Sequence, residues 1–577
     1  MSVAAPGNNS GSAVPSYKAL SILAVATIAC LLPSINKAFC VDDPLFLWAA
    51  AQIQSHPLDF YGCEVNWYST VSPLYDVMKN PPLASYFLAG TAAVLGWSET
   101  ALHAAFLLPA IGAIWGTWFL ARLLCRQAVS AALVTLVTPA FLVSSTNVMC
   151  DTLMLCLWTW AIALWVKGLN STNRRWLGLA LASLLIATAS VTKYFAVSLI
   201  PLLALYTVLR ERKLTWRLAW LLVPVALLTG YQVWTWQRYG RGLLSDAAAF
   251  AWEIAAVPGP GAVVSHETVD TKIIIALSFA GGSLLPVLFC APWLWPKKGL
   301  AAAAVLGLAM GLSARWLFST RQLDALHMPA AFTSTSAAQL GIFTTCGVLV
   351  LWLALSDVVK HESAEAWLLA LWVLGTFGFA GFVNWTCNVR SMLPIAPALG
   401  ILMMRRLEES PRRAVRRLDW HWALAPALAV GMMVVWADFC LANSARAAAT
   451  QIAAVLEREP GTIWFQGHWG FQYYMSAKGG QEMDLSRPAC HPGDVMIAPY
   501  NNTDVFFYPA EFMAPLREFE FPICRGLSTL QCRIGAGFYS AIWGPMPYVF
   551  GAVPQEKYGI WRLTLPVQPK VLLKDEG

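Results

Sequence analysis

Two adjacent carboxylates are the side chains of this chain that are best placed to do chemistry. Asp42 and Asp43 follow the first long apolar segment and open a polar stretch that continues to Asn80-Pro81-Pro82-Leu83. A carboxylate can act as a general base that removes the proton of an attacking hydroxyl. Long loops that carry paired charges beside a membrane are uncommon and often functional. The pair therefore indicates chemistry at a membrane surface.

The composition defines the class of protein that must position these carboxylates. Of the 577 residues, 58% are hydrophobic and only 12% are charged, and the mean hydropathy is +0.56. These values are typical of a polytopic membrane protein. The net charge of +7 comes from short Lys and Arg clusters between apolar segments. We therefore expect contacts with anionic lipid headgroups and no nucleic-acid partner.

Apolar segments long enough to cross a membrane as helices recur along residues 18–440. About thirteen such spans are predicted. They cover residues 18–35, 104–122, 128–145, 150–167, 176–191, 194–209, 217–235, 273–295, 299–317, 337–356, 366–383, 389–404 and 421–440. Residues 1–17 are predicted to form a disordered tip. The first span lacks a clear cleavage site and is interpreted as a retained anchor.

Basic clusters predict the orientation of these spans. They occupy alternate loops, at Arg122/Arg126, Lys167 with Arg174/Arg175, Arg210 to Lys213, Lys297/Lys298, and Arg405 to Arg417. Basic loops favour the cytoplasmic side of a membrane. The first outward loop, residues 36–103, and the tail after about residue 441 then face away from the cytoplasm. Any chemistry is predicted to be extracytoplasmic.

This topology brings distant polar residues to one side of the membrane. They are Asp42, Asp43, Asn80, Asp151, Lys193 and Arg390, each at the outward end of a span or in an outward loop. Burying an ionisable group near membrane depth is costly unless the group is paired or hydrated. We therefore expect these side chains to converge on one cavity.

The tail, residues 441–577, differs from the rest of the chain. Gly461–Gln466, Asp494–Ala498 and Ile560–Thr564 are typical of short strands separated by turns. They predict a small α/β or α+β domain. The aromatic stretch from Trp464 to Tyr474 can stack on sugars, but its spacing favours the core of that domain.

Five cysteines fall in the outward segments: Cys40, Cys63, Cys490, Cys524 and Cys532. Disulfides can form in an extracytoplasmic compartment. The pairs to test are Cys524 with Cys532 and Cys40 with Cys63, although spacing alone does not fix connectivity.

The order of several motifs resembles the GT-C superfamily of integral-membrane glycosyltransferases. The resemblance is to its bacterial protein O-mannosyltransferase-like and lipid A aminoarabinose transferase-like members (glycosyltransferase family 39/83 type). The motifs are Val41-Asp42-Asp43-Pro44-Leu-Phe-Leu-Trp48, Asn80-Pro81-Pro82-Leu83, Cys150-Asp151-Thr-Leu-Met154, Thr192-Lys193-Tyr194 and Arg390-Ser-Met-Leu-Pro394. They occur in family order across residues 18–410. The resemblance implies a polytopic all-α GT-C membrane domain over residues 18–440, followed by the small tail domain.

The resemblance also implies an activity. An inverting glycosyltransferase would move a single sugar from a polyprenyl-phosphate donor to a lipid, glycan or protein acceptor on the outer face of the bacterial inner membrane. The phosphate is an activated leaving group, so one base and some positive charge suffice. No cofactor is required. The alternatives are a lipid or lipid-linked sugar transporter or flippase, which is also polytopic, and a catalytically silent scaffold.

Roles are assigned to the site residues as follows. Asp42 matches the leading acid and is the favoured base, with a helix cap as the alternative. Asp43 is the base if the match shifts by one residue. Contacts to the donor phosphate are assigned to Lys79, Lys193, Arg390 and Arg321, and contacts in the cavity to Asn80, Asp151, Tyr194 and Glu64. Lys79 is one residue earlier than in the lipid A branch, and Asp151 with Lys193 can instead form a structural ion pair.

A divalent metal ion is an additional hypothesis for this site. His266 and Glu267 are its candidate ligands. Two adjacent residues chelate a metal poorly, so Asp43 or Glu64 would have to complete the set.

Overall fold

The computed structural model describes residues 16–171, 175–256, 269–320, 333–409 and 419–566. Most of these residues are helical. In chain order the α-helices are α1 (Ser16–Leu31), α2 (Asp43–Ser55), α3 (Leu74–Val77), α4 (Leu83–Leu95), α5 (Glu99–Leu124), α6 (Ala128–Leu136), α7 (Pro139–Ser144), α8 (Cys150–Asn170), α9 (Arg175–Ser190), α10 (Leu199–Glu211), α11 (Leu222–Tyr239), α12 (Leu243–Ala256), α13 (Val269–Ser283), α14 (Pro286–Leu294), α15 (Lys297–Thr320), α16 (Ser334–His361), α17 (Ala364–Gly378), α18 (Val389–Met392), α19 (Ile395–Glu408), α20 (Leu424–Leu456) and α21 (Trp469–Ser476). The predicted disordered tip lies almost entirely outside the described residues.

Every predicted span falls on helical structure, although several are interrupted. Within the described ranges, eight helices are long and apolar enough to cross a membrane, or nine if one bent pair counts as a single span. The chain is therefore a multi-pass membrane protein. The predicted span over residues 273–295 is broken, because α13 and α14 meet at a bend of 85°. Pro286 begins α14, and proline removes the backbone donor that would continue α13.

The region that was predicted to be the first outward loop contains regular secondary structure. It contains α2, α3 and α4 and a short hairpin of β1 (Glu64–Asn66) with β2 (Val71–Pro73). Apolar runs explain two of the helices, because α2 buries Ala, Leu and Phe side chains and α4 buries Ala and Leu side chains. These elements form a layer at one end of the helix bundle and set the direction of the polar residues between them.

Small residues allow α13 and α16 to pack closely. A Cβ on Gly281 would lie 1.8 Å from the carbonyl oxygen of Phe343, and one on Gly347 would lie 2.2 Å from that of Leu277. Glycine is common at such contacts in membrane proteins. The hydrophobic effect does not drive helices together within lipid, so association depends on the van der Waals contacts that close packing allows. This packing fixes the helix pair beside the segment that carries Arg390.

Contacts among basic and acidic residues confirm that the predicted basic loops share one end of the bundle. Glu408 Oε1 accepts hydrogen bonds from the backbone N–H groups of Arg126 and Gln127, both at 2.8 Å. Nearby segments pair through Arg405 with Asp357 at 3.0 Å and Arg210 with Glu365 at 3.1 Å. Which side of the cell membrane this end faces stays a prediction.

The tail forms a β-containing domain, as predicted. Its further strands are β3 (Ile463–Phe465), β4 (Gln481–Glu482), β5 (Val495–Pro499), β6 (Met513–Phe521), β7 (Leu527–Ser528), β8 (Leu530–Gln531), β9 (Ala536–Gly537), β10 (Val549–Phe550) and β11 (Glu556–Leu563). The five-stranded sheet has the order β4-β3-β5-β11-β6. Strand β3 pairs in parallel with β4 and β5, and β11 runs antiparallel to β5 and β6. All three predicted strands belong to this sheet.

The aromatic stretch after residue 463 lies mainly in the core of this domain. Phe465 and Phe471 are buried against the end of α20 and the sheet. This supports the favoured hypothesis of a core segment over a sugar-stacking surface.

A segment after the sheet strand β6 packs on the helix bundle instead of on the sheet. The carbonyl oxygen of Phe538 accepts from the N–H of Val389 at 3.0 Å, and the N–H of Ala541 donates to Cys387 at 2.8 Å. Tyr548 Oη donates to the carbonyl of Gly282 at 2.9 Å. Helix α20 also runs without interruption past residue 440, where a domain boundary is predicted. The tail is therefore joined to the bundle by extensive contacts.

All thirteen cysteines are free thiols, so neither of the two pairs named for testing forms a disulfide in this structure. Cys40 is buried, and its Sγ lies 3.4 Å from Asn147 Oδ1 and 3.9 Å from Tyr539 Oη. Cys63 instead lies on the wall of a cavity beside β1. The two thiols face different surroundings, which spacing in the sequence does not reveal.

Candidate active site

The site begins at a strained turn before α2. Val41 has φ +46°, a left-handed conformation that a β-branched residue rarely adopts. Such strain costs about 1–3 kcal/mol and is found mainly where function requires it. Asp42 occupies the N-cap position of α2, yet its side chain makes no capping hydrogen bond. The turn therefore leaves the Asp42 carboxylate available for other partners.

Arg390 is the partner of Asp42. Its Nη2 donates to Asp42 Oδ2 at 2.6 Å, and its guanidinium lies 5.6 Å from the ring centre of Tyr539. Asn388 positions the arginine, because its side chain accepts from the N–H of Ser391 and caps α18. The Asp42 side chain is 27% exposed and that of Arg390 13% exposed. A carboxylate and a guanidinium thus meet at a partly open surface.

Asp151 and Lys193 extend this pair into a line of alternating charges. Lys193 Nζ contacts Asp151 Oδ1 at 2.6 Å, and Arg390 Nη1 lies 3.9 Å from Asp151 Oδ2. Asp151 lies in the first turn of α8, and Lys193 precedes the 3-10 turn Tyr194–Ser198. The predicted ion pair between Asp151 and Lys193 is confirmed, and it joins the same cluster as Asp42. We call Asp42, Arg390, Asp151 and Lys193 the charge cluster.

The charge cluster is not fully satisfied by protein groups. Arg390 Nε and Asp151 Oδ2 are buried and have no hydrogen-bond partner among the described residues. A buried donor without a partner costs about 1–3 kcal/mol. Because a guanidinium carries five donors, Arg390 can bind a further anionic oxygen while it holds Asp42.

Asp43 differs from Asp42 in its burial and in its hydrogen-bond partners. Its side chain is fully buried, and its two carboxylate oxygens accept from the N–H groups of Cys40 at 2.9 Å and Val148 at 3.0 Å. Burial raises the pKa of Asp43 to about 7, although nearby Lys37 opposes this shift. These contacts tie the start of α2 to the loop before α8. The geometry favours a structural role for Asp43.

A buried polar network beneath the charge cluster contains residues that the sequence analysis missed. Lys37 Nζ contacts Asp438 Oδ2 and Asn147 Oδ1, both at 2.5 Å. Tyr539 Oη donates to Asp438 Oδ2 at 2.9 Å, and Thr529 donates to Asp438 Oδ1 at 2.9 Å. Asp438 lies within a predicted span, where an ionisable residue signals function by default. That signal was sufficient to find Asp438, whereas Tyr539 has no comparable sequence signal.

Two predicted residues, Lys79 and Tyr194, pair with groups outside the charge cluster. Lys79 Nζ pairs with Asp246 at 2.5 Å and lies 5.4 Å from the ring centre of Phe250. Tyr194 Oη shares a hydrogen bond with Tyr231 Oη at 2.9 Å. Contact of Lys79 and Tyr194 with substrate stays a prediction.

Asn80 contacts the cluster indirectly, because its Oδ1 accepts a weak bond from Cys150 Sγ at 3.6 Å, beside Asp151. Glu64 is exposed at the start of β1, where it lines a cavity of 510 Å³.

The remaining predicted residues are Arg321, His266 and Glu267, which lie outside the described residues. Within the described ranges, no group of three or more His, Cys, Asp and Glu side chains is arranged to hold a metal ion. The metal hypothesis for His266 and Glu267 is therefore not addressed by this geometry.

Part of the chain matches a known protein family. Residues 79–236 match the family described as dolichyl-phosphate-mannose-protein mannosyltransferase. This range includes Asp151 and Lys193 of the charge cluster. The match supports the resemblance of this chain to glycosyltransferases of the GT-C superfamily. Comparison with curated proteins gives no match.

Solved structures of other membrane glycosyltransferases are similar to this chain. ArnT from Cupriavidus metallidurans bound to undecaprenyl phosphate shares 13% identity with a TM-score of 0.44, over 84% of this chain and 92% of ArnT. AglB from Archaeoglobus fulgidus, in complex with an inhibitory peptide and a dolichol-phosphate, shares 14% with a TM-score of 0.45, over 81% and 64%. The S. cerevisiae Pmt1-Pmt2 complex shares 15% with a TM-score of 0.28, over 42% and 33%.

Proposed function

We propose that this enzyme transfers a single sugar, with inversion, from a polyprenyl-phosphate donor to an acceptor hydroxyl at the membrane surface. The observation that carries the proposal is the contact between a partly exposed carboxylate, Asp42, and a guanidinium with a free donor, Arg390. A base and a phosphate-binding cation are thus adjacent, as this reaction requires. The family match favours a transferase over the transporter or flippase that composition alone leaves open.

The donor phosphate would bind to Arg390 and Lys193. Arginine suits phosphate because its planar fork can form two parallel hydrogen bonds, and lysine adds a compact charge. Arg390 Nε lacks a partner among the described residues, so it can donate a hydrogen bond to a phosphate oxygen. Asp151 contacts Lys193 and approaches Arg390, so it would hold both cations in place between turnovers.

Asp42 would act as the general base. The acceptor oxygen attacks the anomeric carbon while Asp42 takes the hydroxyl proton. A new carbon–oxygen bond forms as the bond from the anomeric carbon to the phosphate oxygen breaks, and its electron pair stays on the phosphate. The products are the glycosylated acceptor and polyprenyl phosphate, and Asp42 returns its proton to water. In-line attack inverts the anomeric centre.

The location and partners complete the proposal. Asp151 and Lys193 lie at the ends of their helices away from the basic loops, and the positive-inside rule supports a location of the charge cluster on the outer face of the bacterial inner membrane. The tail domain lies on the same side. The donor reaches the cluster from the surrounding lipids, and the acceptor is a lipid, a glycan or a protein. No cofactor is required by this mechanism.

The test is transfer of a labelled sugar from polyprenyl-phosphate donors to a membrane extract. Wild type is compared with Asp42→Asn and Asp43→Asn at equal abundance, together with donor binding. Asp59→Asn is the matched control, because Asp59 lies in the same outward region but pairs with Arg238. Loss of a general base lowers the rate about 10²–10⁴-fold. We expect this loss in Asp42→Asn with donor binding retained.

Two results would contradict the proposal. Full activity of Asp42→Asn would show that Asp42 is not the general base. Movement of intact donor across vesicles, with none consumed, would indicate a flippase instead.

A further inference from the structure

A cavity along α2, the helix that begins next to Asp42, has no role in the reaction described so far. It measures 510 Å³, within the range of about 300–1,000 Å³ that small-molecule sites occupy. One wall is a single face of α2, with Trp48, Ala51, Gln52 and Ser55 at helical spacing. Helix geometry places Trp48 about 9 Å along the axis from Asp42. The cavity therefore begins about 9 Å along α2 from the candidate base, a distance that an extended molecule can span.

The other walls come from the hairpin and the tail domain. Glu64, Val65 and Asn66 of β1 face Glu482 of β4 across the cavity. The two elements are joined at its edge, because Asn66 Nδ2 donates to the carbonyl of Met483 at 2.9 Å and the N–H of Leu485 donates to Ser69 at 2.7 Å. The tail domain thus builds part of this site.

The hairpin also connects the cavity to the base. Tyr68 follows the β1 strand, and its phenol lies near the Asp42 carboxylate. Trp67, between Asn66 and Tyr68, makes an edge contact with Trp48 at 6.1 Å between ring centres. The segment from Glu64 to Tyr68 thus connects the residues that line the cavity with a residue near Asp42.

Carboxylate and amide oxygens that can accept hydrogen bonds line the cavity. Glu64 forms no ion pair with any described residue, and Glu482 accepts from Ser476 Oγ at 2.8 Å. Asn66 is 5% exposed, and its Oδ1 is buried with no partner among the described residues. None of the described residues that line the cavity is basic. The site suits a ligand that donates hydrogen bonds and carries no negative charge.

We propose that this cavity binds a neutral glycan, which is the acceptor of the transferred sugar. The carboxylates Glu64 and Glu482 and the Asn66 amide oxygen accept from its hydroxyls, and Trp48 covers an apolar sugar face. Two carboxylates would repel the phosphates of a lipid A acceptor. A peptide acceptor presents fewer hydroxyls than this set of acceptors requires. The role of the glycan as acceptor rests on the proposed function, but binding of the glycan does not depend on catalysis.

Binding and transfer are therefore measured separately. The purified full-length protein in lipid nanodiscs is applied to an array of neutral oligosaccharides without donor, with lipid A and a Ser/Thr-rich peptide as further probes. We expect binding to neutral oligosaccharides alone. Charge-assisted hydrogen bonds to a ligand are worth about 1.5–3 kcal/mol, so Glu64→Gln should weaken binding about ten- to hundredfold.

Two further variants make the result specific to the cavity. Ala51→Trp fills the wall of α2 without changing its charge and should abolish binding, since Ala51 is exposed there. Glu518→Gln is the control, because Glu518 is exposed on β6 and pairs with Lys557 away from the cavity. In transfer assays Glu64→Gln should raise the KM for the glycan and leave the KM for the donor unchanged.

The outcomes distinguish this proposal from the proposed function. Glycan binding that depends on Glu64, without any sugar transfer, would retain the site and overturn the transferase. Transfer that uses only lipid A or peptide, or a glycan KM that Glu64→Gln and Ala51→Trp leave unchanged, would overturn the glycan site and retain the transferase.

Discussion

Arg390 and Asp42 form a hydrogen-bonded ion pair at 2.6 Å although 348 positions separate them in the chain. The pair joins the first outward turn of the protein to the helix that begins the twelfth predicted span. Because Arg390 also approaches Asp151, it connects the candidate base to the Asp151–Lys193 pair. Arg390 is therefore the centre of the charge cluster, and its replacement tests the arrangement most directly.

Replacing Arg390 by lysine should weaken donor binding. Lysine keeps the charge but loses the planar fork that can hold a carboxylate and a phosphate together. We expect the KM for the donor to rise about ten- to hundredfold, the equivalent of one charge-assisted hydrogen bond. The measurement is initial rate against donor concentration. Arg241→Lys is the control, because Arg241 pairs with Asp76 and Asp246 outside the cluster. An equal effect in both variants would contradict a specific phosphate contact.

Asp43→Asn should lower stability instead of changing the chemical step. The amide retains one acceptor oxygen, so either the N–H of Cys40 or that of Val148 loses its partner. Leaving a buried group without a partner costs about 1–3 kcal/mol of unfolding free energy. Thermal unfolding in detergent should show the decrease. An Asp43→Asn protein that unfolds like wild type but is inactive would make Asp43 the base.

Lys37 and Asp438 should be strongly coupled. They are 0% and 1% exposed, so removing either partner leaves a buried charge without compensation. Breaking such a pair costs about 3–5 kcal/mol. The double variant Lys37→Met/Asp438→Leu should therefore lose less stability than the sum of the single variants, which a double-mutant cycle measures. Additive losses would contradict the coupling.

Glu556 should make stability depend on pH. Burial raises the pKa of Glu556 to about 7, although Asn501 donates to its Oε1 at 2.8 Å. Between about pH 4.5, its ordinary value, and pH 7, the unfolded chain has released this proton while the folded protein retains it. The free energy of unfolding therefore falls as pH rises through this window and then levels off.

Glu556→Gln should remove that part of the pH dependence. The measurement is the difference in Tm between wild type and variant from pH 4 to pH 8, which cancels the contributions of other carboxylates. Glu518→Gln provides the exposed control. A difference in Tm that stays constant across this range would contradict the shifted pKa of Glu556.

Much of this architecture followed from the amino-acid sequence. Hydropathy located the spans, because a bilayer requires long apolar helices whose backbone groups bond internally. The alternation of basic loops grouped Asp151, Lys193 and Arg390 at one end of the bundle, where the structure brings them together. Strands β3, β5 and β11 were predictable because their apolar patterns and flanking turns are local signals.

The tertiary structure alone decided which of these groups meet and which are buried. Asp42 and Asp43 are neighbours of the same type, but the left-handed turn at Val41 leaves one partly exposed and buries the other. Tyr539 reaches the site from a tail segment that packs on the bundle, 392 positions from its partner Asn147. Such contacts depend on how distant segments pack together. Sequence patterns report the local period of helices and strands and the side of the membrane, and they contain no signal for these pairings.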